Sequence, residues 1–367
     1  MLTSTLKSVA AFLVFAWVRS AQAAVGFVEL PATESSGPVS VFYPTDSPGK
    51  AEQHGPFQFD MATDAPPATG PKQLVVISPG SGASPWVYFD LAALLVQNGF
   101  VVAMPEHAGD NIKDRSGPGP ASWKLRPVEV SRAIDRVAAD PRLQTIADTT
   151  RVGMYGMSAG GHTALSLAGG RWSPVLLKQH CNQHIDDDFY ACAGLSTRLT
   201  GGFMDKVKRS LVQWVIGLKF NDSTWYSHTD SRIAAIVSGV PFAADFDLDS
   251  LRAPSVPVGI ISARMDKWLA SPYHAGAVLQ ACGRCEFLAD LPHGGHGALL
   301  SPLPPDRSGL LADLINDPPE FDRAVEVPQV SQKIVDFFKR HLRTEGPVGR
   351  SPPWQKTAPK SAQQEAS

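Results

Sequence analysis

The sequence predicts an α/β architecture: a mostly parallel central sheet with helices on both faces and one helical insertion. Three observations carry this. Short continuous apolar runs alternate with segments of helical spacing, as strands buried on both faces alternate with covering helices. Gly and Pro stand at 31 each, the punctuation of a chain with many turns. Hydrophobic residues make up 43% of 367 positions and charged residues 19%, which supplies a large core and excludes disorder as the main state.

Residues 25–43 alternate apolar and polar side chains around turn signals and read as a leading antiparallel hairpin. The run Leu74-Val75-Val76-Ile77 is the first buried strand, and residues 86–98 are a helix stopped by Gly99. Strands at 100–104 and 151–155 follow, with helices at 127–140, opened by Pro127, and 159–168. Further strands fall at 233–237, 258–262 and 286–289, and a last amphipathic helix at 328–342. Residues 172–231 interrupt this alternation. They carry two cysteines and the apolar helical run Leu211-Val212-Gln213-Trp214-Val215-Ile216, and form either a lid over the strand ends or a peripheral excursion that only packs.

The chain divides into a signal segment at 1–23, a main domain at 24–343 and a tail at 344–367 rich in Pro, Ser, Gln and Lys, expected to be disordered. Lys7, an apolar run of about ten residues and Ala21-Gln22-Ala23 fit cleavage after Ala23, hence export to the periplasm or medium; an uncleaved anchor is the competing reading. Spanning a bilayer takes about 20 apolar residues, so no stable membrane anchor is expected after cleavage. Cleavage would take the formal charge from −2 to −4, and no Lys/Arg stripe suggests nucleic acid as a partner. Four cysteines in an exported chain favour two local disulfides, Cys181 with Cys192 and Cys282 with Cys285, over a four-thiolate zinc site.

Gly156-Met157-Ser158-Ala159-Gly160-Gly161 falls where one predicted strand ends and a predicted helix begins. A turn that sharp strains the serine backbone, exposes its hydroxyl and leaves no room for Cβ atoms at the flanking glycines, which makes Ser158 the candidate nucleophile. A serine hydroxyl needs an imidazole to take its proton and a carboxylate to orient that imidazole. Asp266 follows the strand at 258–262 and is the candidate acid; Asp245, Asp247 and Asp249 compete, and a solvated pairing with Arg264 or Lys267 is the bland alternative. The loop after the strand at 286–289 offers His293 and His296. Gly294, Gly295 and Gly297 allow the turn that aims His296 inward, so His296 is the candidate base. An oxyanion needs two amide donors: Ala159, after the nucleophile, and Ser81 in Pro79-Gly80-Ser81-Gly82, with Gly82 next in line. His162, His107 and Asp110 read as structural hydrogen-bonding groups, and Trp86, Trp172 and Trp214 as core or as the border of an acyl pocket.

These segments, with Pro105-Glu106-His107-Ala108-Gly109-Asp110, Trp123, Arg126-Pro127, Arg264-Met265-Asp266 and Gly295-His296, together resemble the α/β-hydrolase fold. More narrowly, they are similar to dienelactone-hydrolase-like and platelet-activating-factor-acetylhydrolase-like serine esterases of bacteria. The resemblance covers residue 25 to about residue 342. It implies Ser158 as nucleophile, Asp266 as acid, His296 as base, and Ser81 and Ala159 as oxyanion donors. Two departures, Pro79 and Met157 where relatives carry histidine, bear on substrate preference; a serine in place of cysteine argues against true dienelactone hydrolysis. The expected activity is cleavage of a small-molecule or lipid carboxylic ester through an acyl-enzyme, with no metal or organic cofactor. Lipid, phospholipid or polyester hydrolysis and acyl transfer are the alternatives on the same site, and a catalytically silent binding module is the alternative of another class.

Overall fold

The computed structural model describes residues 23–343, so the expected signal segment as far as residue 22 and the expected tail at 344–367 lie outside the described residues. Strands β1 (Ala24–Leu30) and β2 (Val39–Thr45) form the expected antiparallel hairpin, with Phe27 opposite Phe42. A second hairpin, β3 (Lys50–His54) and β4 (Phe57–Thr63), was not expected. The alternation then runs β5 (Lys72–Ser78), α1 (Phe89–Gln97), β6 (Val101–Pro105), α2 (Pro120–Ala139), β7 (Ala147–Met157) and α3 (Ala159–Leu167). The insertion contributes the short strand β8 (Arg171–Trp172) and helices α4 (Pro174–His184), α5 (Phe189–Ala193) and α6 (Met204–Lys219). After it come β9 (Ile233–Gly239), the short β10 (Phe246–Asp247), β11 (Val258–Ala263), α7 (Ala275–Ala281), β12 (Glu286–Leu291), α8 (Gly309–Ile315) and α9 (Arg323–Leu342).

The main sheet has ten strands in the order β12-β11-β9-β7-β5-β6-β2-β1-β4-β3. The six from β12 to β6 are parallel, and β2 joins β6 antiparallel. Side chains of the central strands alternate between two cores, which explains their uninterrupted apolar runs. Leu74 and Val76 of β5 enter one core with Val130 and Ile134 of α2 and Leu165 of α3. Val75 and Ile77 enter the other with Leu95 of α1 and Ile334 and Phe338 of α9. Gly153 makes room for the second layer, since a Cβ there would lie 2.8 Å from the Phe338 ring.

Two helix starts differ from expectation. The helix placed at 127–140 opens at Pro120, with Pro127 inside it, and the helix placed at 328–342 opens at Arg323, with Pro328 inside it. Each chain start has its own signal: Pro120 takes the first helical position, and the Asp322 side chain accepts the Ala324 amide at 3.1 Å. The internal prolines each remove one main-chain hydrogen bond, a loss that packing of α2 and α9 on the sheet outweighs.

The insertion begins and ends at one place, where Trp172 and Tyr226 exchange main-chain hydrogen bonds of 2.9 Å. Both local disulfides are present, Cys181–Cys192 joining α4 to α5 and Cys282–Cys285 closing the turn after α7. No helix among the described residues is long and apolar enough to cross a membrane. Opening the Cys181–Cys192 bridge, whose partners are 11 residues apart, returns loop entropy to the unfolded chain. The double serine variant should lose about 2–3 kcal/mol of stability in urea denaturation.

Candidate active site

The parallel strands end along one edge of the sheet, and the turn from β7 into α3 carries Ser158 there. Its backbone sits at φ 58°, ψ −119°, a left-handed conformation that costs an L-residue roughly 1–3 kcal/mol. Neighbouring backbone holds it there. The Ser158 amide donates to the Gly239 carbonyl at 3.1 Å, and the Ser158 carbonyl accepts from the amides of His162 at 3.0 Å and Phe242 at 3.2 Å. The glycines are sterically required. A Cβ on Gly156 would lie 1.9 Å from the Gly160 carbonyl oxygen, and one on Gly160 would lie 1.9 Å from that of Ser78.

His296 heads the 3-10 turn His296–Leu299 beyond β12, and its Nε2 lies 3.0 Å from Ser158 Oγ. Its Nδ1 lies 2.8 Å from Asp266 Oδ2. The other Asp266 oxygen accepts the Trp268 amide at 2.8 Å and the Leu269 amide at 3.0 Å, so the carboxylate is aimed by its own loop. Asp266 and His296 are both buried. The competing residues are engaged elsewhere. Arg264 pairs with Asp290, Asp245 lies 3.2 Å from His162, Asp247 pairs with Arg171 and Asp249 with Arg252. His293 is 48% exposed and lies 2.9 Å from Glu320.

Of the amides of Gly80, Ser81 and Gly82 in the loop after β5, that of Ser81 alone has no protein acceptor among the described residues. Gly80 N–H donates to the Tyr88 hydroxyl and Gly82 N–H to Asp110 Oδ1, both at 2.9 Å, which removes Gly82 from consideration as a donor. Among the described residues, the main-chain N–H groups of Ser81 and Ala159 have no protein acceptor. The loop rests on buried charge. Arg126 donates to the Pro79 carbonyl at 2.7 Å and to Asp110 Oδ2 at 2.8 Å, while the Ser81 hydroxyl donates to Asp110 Oδ1 at 2.6 Å. Burial alone would raise the Asp110 carboxyl, but the Arg126 charge and the hydrogen bonds from Ser81, Arg126 and Gly82 hold it below its ordinary value. Burial pushes the Tyr88 hydroxyl up to about 12, keeping the proton it donates to Met157 Sδ.

Burial, with the Arg126 charge, holds His107 below its ordinary value. A neutral ring donates from Nδ1 to Glu129 at 2.7 Å and accepts from the Ser78 hydroxyl at 2.8 Å, bracing the end of β5. His107, Asp110 and His162 are thus hydrogen-bonded within the fold, with Asp110 also lining the cleft and His162 Nδ1 left without a partner among the described residues. Of the tryptophans, Trp172 is core, Trp86 borders the cleft and Trp214 is exposed.

Ser158 and His296 open onto a cleft of about 1240 Å³. Its wall is mainly apolar, with Trp86, Tyr190, Val212, Ile216 and Phe242 among its lining, and the insertion supplies much of it through α5 and α6. Sequence reasoning missed the contribution of the β3–β4 hairpin, where His54 stacks on Trp86 with ring centroids 3.9 Å apart. β3 has no apolar residue but Ala51 to mark it, whereas β4 alternates apolar and polar side chains from Phe57 to Met61 and was overlooked, and His54 had no motif around it.

No protein-family model matches the chain, and a search of curated proteins finds no match either. The site therefore rests on its own geometry.

Two substitutions test the scaffold. Gly160→Ala should cost more than about 3 kcal/mol in urea denaturation, because the clash is with main chain that cannot step aside. Asp110→Asn leaves a buried guanidinium without its counter-charge and should cost about 3–5 kcal/mol. The sign with pH follows from the depressed carboxyl: its stabilisation is full above the ordinary carboxylate range and is lost as pH falls through the folded-state value. Wild-type stability should consequently fall more steeply on acidification than that of Asp110→Asn.

Proposed function

We propose that the protein is a serine ester hydrolase of the α/β-hydrolase type, cleaving carboxylic esters through an acyl-enzyme. The observation that carries the reading is the unbroken hydrogen-bonded line from Asp266 through His296 to Ser158 at the floor of an apolar cleft. With Nδ1–H held by Asp266, the His296 proton vacancy is at Nε2, facing Ser158 Oγ. Ser158 attacks the ester carbonyl carbon as its proton passes to His296, and the carbonyl oxygen becomes an oxyanion that the Ala159 and Ser81 amides stabilise. The tetrahedral adduct collapses with transfer of the His296 proton to the departing alkoxide, which leaves as the alcohol. Water then adds to the acyl-enzyme by the same route, its proton taken by His296, and the acid is released with Ser158 restored.

The apolar wall favours esters with an aliphatic or aromatic acyl group over strongly polar ones. Access of water or of an alcohol to the acyl-enzyme decides between hydrolysis and acyl transfer. The order Ser158, Asp266, His296 along the chain, each residue after a different parallel strand, supports the α/β-hydrolase assignment.

Turnover of a p-nitrophenyl ester series by the mature protein, before and after a fluorophosphonate probe, tests the reading. Hydrolysis that disappears as Ser158 is labelled is the expected result; neither turnover nor labelling would favour the silent binding module. His296→Ala should lower kcat by several orders of magnitude, as should Ser158→Ala, because such residues act as a unit. His293→Ala should cost about tenfold or less, since its ring is held by Glu320 away from the serine.

A further inference from the structure

The insertion meets the main domain at a buried carboxylate that lies outside the Ser158 site. Asp188, between α4 and α5, has no exposed side-chain surface. Its Oδ2 lies 2.8 Å from His180 Nε2 and 2.9 Å from His274 Nε2, and its Oδ1 accepts the Ala270 amide at 3.3 Å. His274 Nδ1 accepts the Ala243 amide at 3.0 Å, so this ring carries its proton on Nε2 and donates to Asp188. The carboxylate is thus met by three donors, one from α4 and two from residues 270–274 of the main domain. Burial would raise it, but the hydrogen bonds from His180 and His274 hold it down to about 2.

Each partner leads to the proposed reacting groups. Ala270 closes the loop whose amides at Trp268 and Leu269 aim Asp266. Ala243 follows Phe242, whose amide donates to the Ser158 carbonyl. In the other direction, Asp188 immediately precedes α5, which lines the cleft through Tyr190 and Cys192, and the Tyr190 ring packs on Trp268 with centroids 4.6 Å apart.

We propose that Asp188 is a positioning residue that sets the Asp266 loop and the α5 wall of the cleft in one register, making the insertion a fixed part of the site. The role rests on the esterase reading. An amide cannot replace the carboxylate without loss: with its oxygen toward the two histidines its NH2 faces the Ala270 amide, and turned the other way it faces the Nε2–H of His274, which cannot change tautomer while Nδ1 accepts from Ala243.

The test compares Asp188→Asn with wild type on p-nitrophenyl acetate and p-nitrophenyl decanoate, well below the melting temperature of each. A displaced acid loop should lower kcat on both esters by about 10–100-fold, as misplacements of about 1 Å do, and a displaced wall should raise KM for decanoate alone. Because Asp188→Asn can fail to fold, His180→Leu removes one donor at the edge of the cluster and should give a smaller loss of the same kind, about threefold or more. The low-field NMR resonance of the His296 Nδ1 proton reports its bond to Asp266 whether or not an ester is turned over, and it should shift in each folded variant. An inactive wild type would count against the esterase reading, and the resonance would still test the positioning role. Folded variants with lower melting temperatures but unchanged kcat and resonance would overturn the proposal.

Discussion

The close approach of α3 to the ends of β5 and β7 governs the whole upper edge of this molecule. With Gly156 and Gly160 in place the helix start lies against the Ser78 carbonyl, and no side chain fits between them. That proximity raises Ser158 above the sheet in a left-handed conformation and points the first amides of α3 toward the same space. It also draws in the loop after β5, so that the Ser81 amide and the serine hydroxyl belong to one small region. The strained residue is affordable only because the Gly239 carbonyl and the His162 and Phe242 amides hold its backbone on both sides.

Around this turn buried charge and its hydrogen bonds fix the geometry. Arg126 and Asp110 hold the loop after β5, and Glu129 with His107 holds the strand end beneath it. A buried ion pair such as Arg126–Asp110 adds little net stability compared with well-packed apolar groups, but its hydrogen bonds demand one arrangement. Arg126 must reach both Pro79 and Asp110, and only one placement of α2 allows that. Specificity of geometry is the return on an otherwise costly choice.

The parallel core was legible because each strand is buried on both faces, which leaves runs such as 74–77 with no polar interruption, and because Gly-x-Ser-x-Gly sits at a strand-to-helix boundary that can be located independently. That His296 and not His293 would stand beside Ser158 was legible from the glycines around it. Helix starts at Pro120 and Arg323 were not, since a later proline in each segment imitates an opening signal. The support of Asp110 by Arg126 and the meeting of His180, Asp188 and His274 are contacts between residues far apart in the chain, and spacing along the chain carries no record of them. The β3–β4 hairpin was hidden for a different reason. Its outer strand β3, at the sheet margin, buries none of its side chains, so nothing marked a partner for β4, whose own alternation from Phe57 to Met61 was present in the sequence.

That margin has a bearing on how the molecule behaves among other copies of itself. Among the described residues, the open sheet of ten strands ends in two rows of main-chain donors and acceptors with no partner strand, each a template for a strand from elsewhere. On β3 the row is flanked by Lys50 and Glu52. On β12 it is flanked by Glu286, paired with Arg340, and Asp290, paired with Arg264. A strand approaching either side would have to strip water from these charges before gaining hydrogen bonds, and this keeps the exposed Phe287 from becoming the seed of edge-to-edge aggregation.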